Sequence, residues 1–304
     1  MSVPVAASVR RAYPDAEIWW AVEARCAAVI ERSKLVSRVV ELDRETWKRQ
    51  KFSPRVWRDQ LRLFSSLRRQ HFDFGIDLQG HSKTAICLKF AAPKKRVAAH
   101  STDVLVTMMN PVVKGDVNAC HTVEWNLKTL RTLGDFPTEP RWIMPTLTSE
   151  RAHVRTVGPN LATIAVSAGQ SYKSYPMEKW AAVAEEMLNQ GCQVVFLGGP
   201  TDQAPKVEGA LDWVGKTSLA ETMAAVAESR IHFAADTGTG HMAAAYGIPV
   251  VSLFGPTPPE RFAPYTEKRV VLRKESKVTA DITPEEVLEA AQALRSIYET
   301  ALPH

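Results

Sequence analysis

Short runs of β-branched and aromatic residues alternate along the chain with longer stretches whose apolar positions recur every three or four residues. The short runs predict strands at Ile18–Val22, Arg38–Leu42, Phe74–Leu78 and Arg96–Ala99 in the first half. In the second half they predict strands at Thr163–Ser167, Gln193–Leu197, Ile231–Ala235, Val250–Phe254 and Val270–Leu272. Several are almost continuously apolar, as parallel strands covered on both faces are. Helical spacing marks Met177–Gln190, which stops at Gly191, and also Ser218–Ala227 and Gly240–Tyr246, the latter ended by Gly247-Ile248-Pro249. A last helix, Pro284–Tyr298, opens with Thr283 as N-cap, Pro284 at the first helical position and two glutamates in the first turn. Strand–helix alternation in both halves predicts two doubly wound α/β domains. Pro137–Asn160, with four prolines and little periodicity, is the expected linker, so the domains are placed at 1–155 and 156–304.

Length agrees with this division, since 304 residues make two ordinary domains. With 45% apolar and 23% charged residues the chain reads as globular. It has no apolar run long enough for a spanning helix, and Met1–Ala7 lacks the charged-then-apolar layout of a secretory signal. Cys26, Cys87, Cys120 and Cys192 are widely spaced with no CxxC pair, which suits a reducing cytoplasm and speaks against a zinc site. Charge changes the picture more. Residues 1–155 carry 26 Lys and Arg against 16 Asp and Glu, and residues 156–304 carry 12 against 17. Basic residues crowd Arg44–Arg69 and Lys94-Lys95-Arg96. Either they are a solvated helix face or the first half meets something anionic. No RNA-binding aromatic signature or zinc finger accompanies them, so nucleic acid is not expected.

The candidate chemistry lies in the second half. In Ala234–Ala245 a buried strand runs through Asp236-Thr237-Gly238-Thr239-Gly240 into a small-residue helix bearing His241. Such a turn aims backbone N–H groups and the positive helix end at one spot, an anion site. Gly238 and Gly240 would allow close approach of phosphate oxygens, and Thr237 and Thr239 would add hydroxyls. Asp236 could accept from sugar hydroxyls. The plain alternative is a turn glycine, an N-cap threonine and a core histidine. A second turn, Ala168–Pro176, follows the Thr163–Ser167 strand; Gly169 and Ser171 would permit approach of a diphosphate and Lys173 would supply charge, although the P-loop spacing is absent. Three further loops, at Gly198–Gln203 (with Asp202), Gly215–Leu219 (with Thr217 and N-cap Ser218) and Phe254–Pro259, belong to the same sheet edge, where open α/β sheets bind ligands.

These segments, in this order, resemble glycosyltransferase family 9, the family of the bacterial lipopolysaccharide heptosyltransferases. The resemblance rests on Gly169–Pro176 with Trp180, Gly198-Gly199, Thr217-Ser218-Leu219, Asp236-Thr237-Gly238 with His241, and Leu253–Thr257. Looser matches are Arg11–Ala16, Ile76–Gly80 with Lys83, and His121–Leu133. It implies a GT-B fold, two Rossmann-like domains facing across a cleft. A nucleotide-diphosphate sugar, ADP-heptose by the family pattern, would sit in the C-terminal domain. An anionic glycolipid acceptor would sit in the N-terminal domain, near Gln79, Lys83 and His121. Transfer would invert the anomeric centre without metal or cofactor, in the cytoplasm or peripherally on the inner membrane. By position Lys173 would neutralise the leaving diphosphate, Thr237 and Gly238 would bind phosphate, Asp236 the sugar, and His241 would support the pyrophosphate; Asp202 and Thr217 would lie near the nucleoside. Family members open with an apolar strand and a Gly-Asp turn whose aspartate is the proposed base, and Met1-Ser2-Val3-Pro4 aligns just after that turn. This leaves open a catalytically impaired nucleotide-sugar-binding protein, as it does a GT-B enzyme using another nucleotide sugar. A dinucleotide dehydrogenase is disfavoured, since no GxGxxG follows the first strand.

Overall fold

The computed structural model describes residues 1–50, 52–168 and 170–299. The chain divides into two compact units, Met1–Ile143 and Met144–His304.

In the first unit the four expected strands are β1 (Trp19–Val22), β2 (Arg38–Glu41), β3 (Phe74–Asp77) and β4 (Lys95–Ala98). They form two separate parallel pairs, β1 with β2 and β3 with β4, in place of one doubly wound sheet. Among the described residues β1 and β3 are each paired along one edge only. Helices Pro54–Arg68 and Ser82–Ala91 pack on each other and bury Phe64, Leu67 and Cys87 against Val40 and Leu42. After β3, Asp77 organises the turn: one carboxylate oxygen accepts from the amides of Gln79 and Gly80 and the other from the Thr84 hydroxyl, at 2.8–3.0 Å. Gly80 takes φ +67°, and a Cβ there would strike the His100 carbonyl oxygen.

The second unit is a six-stranded, wholly parallel sheet: β5 (Leu161–Ala165), β6 (Gln193–Leu197), β7 (Leu211–Asp212), β8 (Ile231–Ala235), β9 (Val250–Phe254) and β10 (Arg269–Arg273). The strand order is β10-β9-β8-β5-β6-β7. Every residue of β5, β8 and β9 is buried, as their apolar runs require. Helices Met177–Asn189 and Pro284–Glu299 pack together on the sheet. Trp180, Val183 and Met187 of the first join Val287, Ala291 and Leu294 of the second in the core. The other layer is Thr148–Arg155, Leu219–Glu228 and Gly238–Tyr246.

The structure moves several expected boundaries. β5 starts at Leu161, because Leu161 and Ala162 pair with Gln193 and Val194, leaving Val166 and Ser167 to begin the loop. The Gly238–Tyr246 helix begins two residues before its expected start at Gly240, with Thr237 at the N-cap. The short edge strand β7 has no counterpart among the sequence expectations. The expected linker contains a helix, Thr148–Arg155, so the units part between Ile143 and Met144, before the boundary at 155. What draws that helix into the second unit is Glu228, which accepts from Arg151 and, at 2.8 and 3.1 Å, from Arg155. Burial of Glu228 works against its ionisation, but the two guanidiniums outweigh it and hold the carboxyl below its usual range.

Replacing Glu228 by alanine strands Arg151 beside a half-buried void and should lower unfolding stability by about 2 kcal/mol. Exposed Glu275→Ala should cost below about 0.5 kcal/mol. Urea titration of the two variants checks this, and equal effects would show that the helix docks without the carboxylate.

Candidate active site

Strand order turns back on itself between β5 and β8: the chain leaves β5 toward β6 on one side and returns to β8 on the other. Loops that leave neighbouring strands in opposite directions open a crevice at their carboxyl ends, where α/β sheets take ligands. The two turns singled out by sequence arise there. The segment after β5 makes a short 3-10 turn, Ser171–Lys173. The segment after β8 is Asp236-Thr237, leading into helix Gly238–Tyr246. Lys173 Nζ lies 2.7 Å from Asp236 Oδ2, and the side chains are 20% and 11% exposed. The ion pair therefore bridges the switch point.

Each partner is held from below. Tyr175 is buried two residues past the lysine, its ring edge against Trp180 at 4.7 Å between centroids and its hydroxyl donating to the Ile282 carbonyl at 3.0 Å. Burial, joined by nearby Glu285 and Glu286, pushes that phenol above its ordinary range. Lys179 Nζ donates to the Ala280 and Ile282 carbonyls. On the other side, Thr163 of β5 and His232 of β8 are register neighbours. His232 Nδ1 lies 2.8 Å from Thr163 Oγ1 and its Nε2 3.0 Å from Thr239 Oγ1. Thr239 Oγ1 is in turn 2.8 Å from Thr237 Oγ1. A neutral imidazole carries one N–H, so one threonine donates to the ring and the other accepts from it. The result is a buried polar chain from the sheet interior to the helix N-terminus.

This chain decides what the turn residues do. Thr237 stands at the N-cap but makes no side-chain cap, and no acidic residue lies in the first turn. Gly238 faces open space, with nothing within 4 Å of a built Cβ. Gly240, expected to admit phosphate, is buried, and a Cβ there would meet Pro264, Ser252 and Ala234 at 3.4–3.9 Å, ordinary contact distances. Thr239, expected at the ligand, points its hydroxyl inward to His232. His241 is half-buried in the fourth position of the helix. Gly169 lies outside the described residues, and so does the Ser171 side chain.

The remaining candidates hold protein groups. Asp202 Oδ2 accepts from the Gly199 amide and the Ser167 hydroxyl, both at 2.6 Å, clamping the β6 loop to the end of β5. Thr217 Oγ1 lies 2.9 Å from Thr222 Oγ1, beside the Ser218–Glu221 capping box. In the first unit Gln79 is exposed and Lys83 half-buried. His121 is buried, and its Nδ1 accepts from the Val123 amide at 3.1 Å, an N-cap of helix Thr122–Arg131. Sequence reading missed His232 and Tyr175 as positioning groups; a threonine on the neighbouring strand and a proline fixing the Tyr175 backbone were the available signals.

The architecture is α/β, of the GT-B class. It superposes on the solved structure of Escherichia coli heptosyltransferase WaaC with ADP, with a TM-score of 0.81 at 18% identity over 96% of this chain and 95% of that one. The glycosyltransferase family 9 structure from Veillonella parvula gives 0.79 at 20% identity, over 96% and 92%. The model for "Glycosyltransferase family 9 (heptosyltransferase)" matches residues 60–291. The chain belongs to that family and is a glycosyltransferase of the lipopolysaccharide heptosyltransferase type. It is similar to lipopolysaccharide heptosyltransferase 1 of Pseudomonas aeruginosa, 26% identical over 89% of this chain and 79% of that protein.

Desolvation pushes His232 from 6.5 down to about 3, against a smaller opposite effect of its bond with Thr163. Above 6.5 folded and unfolded chains are both neutral here, and the stability is whole. As pH falls from 6.5 toward 3, only the unfolded chain takes up the proton, so this residue should subtract up to about 1.4 kcal/mol per pH unit. Subtracting the unfolding curve of His232→Gln from that of the parent should reveal the slope; a flat difference would mean that the ring is solvated.

Proposed function

We propose that the second unit binds a nucleoside-diphosphate sugar with its diphosphate at Lys173 and the first turn of helix Gly238–Tyr246. On this reading the first unit takes an anionic glycolipid acceptor, and a sugar passes to it with inversion. The observation that carries the reading is the Lys173–Asp236 ion pair across the β5/β8 switch point. Family membership supports the reaction class. For the donor, support comes from a relative solved with ADP-2-deoxy-2-fluoro heptose, which makes ADP-heptose the favoured donor. For the acceptor it comes from relatives named lipopolysaccharide heptosyltransferases, which favours a lipopolysaccharide-core sugar. The setting that fits is the cytoplasm, at the inner membrane.

The chemistry follows from charge. As the acceptor oxygen bonds to the anomeric carbon, the bond from that carbon to the diphosphate oxygen breaks. The acceptor hydroxyl gives its proton to water, and negative charge grows on the departing diphosphate. A fixed cation and oriented amide dipoles placed at that oxygen lower the barrier, because they interact more strongly with the transition state than with the bound donor. Lys173 supplies the cation and the uncapped helix start the dipoles. Asp236 holds the ammonium in place before the donor arrives. It can then accept from a sugar hydroxyl as the lysine turns to phosphate.

Lys173→Ala should cut kcat roughly 10²–10³-fold while ADP affinity, read by calorimetry, falls less than about tenfold. Equal losses in both would reject the leaving-group role. Asp236→Asn should leave free ADP bound at least as tightly, since the lysine loses its competing anion, while the nucleotide sugar binds more weakly. Weaker ADP binding in that variant would contradict the arrangement.

A further inference from the structure

We propose that the outward face of helix Pro54–Arg68 is a docking surface for an anionic lipid bilayer. Among the described residues no helix is long and apolar enough to cross a membrane. This helix carries one broad apolar face, part of it buried and part exposed. Val56, Phe64 and Leu67 are buried, and Phe64 stacks on Phe90 with ring centroids 5.3 Å apart. By helical spacing Trp57 and Leu61 lie roughly 20° and 60° round the helix from Phe64, on the margin of the buried face, and they are 57% and 56% exposed; Phe52 just before the helix is 86% exposed. With Pro54, Arg58 and Arg62 they line one shallow depression.

Charge names the occupant. Between Phe52 and Arg69 there are five arginines and one acidic residue, Asp59. That single carboxylate sits 4.0, 3.9 and 3.8 Å from Arg55, Arg58 and Arg62, all well exposed. One acid shared among three solvated guanidiniums does not cancel them. By helical spacing the arginine stripe runs beside the apolar one. A helix buried along part of its apolar face, with tryptophan and leucine exposed at the margin, phenylalanine just before it and arginine alongside, suits the boundary between headgroups and acyl chains. Guanidiniums meet lipid phosphates while the apolar side chains insert. A nucleic-acid site would instead call for a continuous basic groove, and here apolar side chains occupy half of it. The inference stands apart from the donor-site reading, because the surface lies in the first unit and uses none of the residues of the β5/β8 crevice.

The test is flotation of the full chain with vesicles of phosphatidylethanolamine and phosphatidylglycerol, set against vesicles of phosphatidylcholine. The expected result is binding to the anionic vesicles that weakens as salt is raised. Arg58→Glu with Arg62→Glu should reduce it by roughly thirtyfold, and Trp57→Ser with Leu61→Ser by about tenfold. Melting temperature and ADP affinity should be unchanged in both double variants, which separates loss of docking from loss of fold or of the donor site. The proposal falls if both variants float like the parent. It falls equally if inorganic phosphate at constant ionic strength displaces the protein, which would mark a phosphate site, or if an RNA oligomer binds while vesicles do not. A change in sedimentation of the variants without a change in flotation would assign the face to self-association and overturn it too.

Discussion

The geometry of the candidate site turns on one ion pair placed where the sheet reverses its winding. A parallel sheet must send its crossover helices to both faces, and where that direction switches the connecting loops diverge and leave a crevice. In this chain the loops on either side of the crevice contribute opposite charges, Lys173 after β5 and Asp236 after β8, 2.7 Å apart. A lysine set in a partly closed crevice needs an anion nearby. Asp236 fills that place in the structure described here, and a diphosphate of higher charge density can compete for it.

The layers beneath the pair hold this geometry. Thr163 and His232 sit side by side in the register of the two central strands, and their polar chain ends on Thr239 and Thr237 at the start of the following helix. That chain turns the threonine hydroxyls inward, which leaves backbone amides and an open Gly238 to face the crevice. On the lysine side Tyr175 and Lys179 bind carbonyls of the Ala280–Ile282 segment, so the loop after β5 is anchored just beyond Lys173. Asp202 ties the next loop to the same strand end through Ser167. Asp202, which reads as a ligand group in sequence, is thus a structural clamp in this structure, as is Asp77.

How much was legible follows from the range of each signal. Apolar runs of five residues placed β6, β8 and β9 to the residue, because strands buried on both faces leave a continuous signature. β5 slipped by two because Val166 and Ser167 extend its apolar and small-residue run into the loop. The helix Thr148–Arg155 was hidden in a proline-bearing stretch whose composition reads as linker; the ion pairs that dock it reach Glu228, which lies far along the chain. Lys173 and Asp236 were readable as candidates through their positions after strands. Their contact was not, since it depends on the order of strands in the sheet. The basic helix of the first unit gave its charge in sequence, whereas how much of its apolar face is buried is decided by Phe90 and the strands beneath.

The most direct test of the account is a crystal structure of this chain with ADP bound. The β-phosphate is predicted within hydrogen-bonding distance of Lys173 Nζ and of the first amides of helix Gly238–Tyr246, with the lysine swung off Asp236. A diphosphate seated at any other strand end, with the lysine still on Asp236, would contradict it.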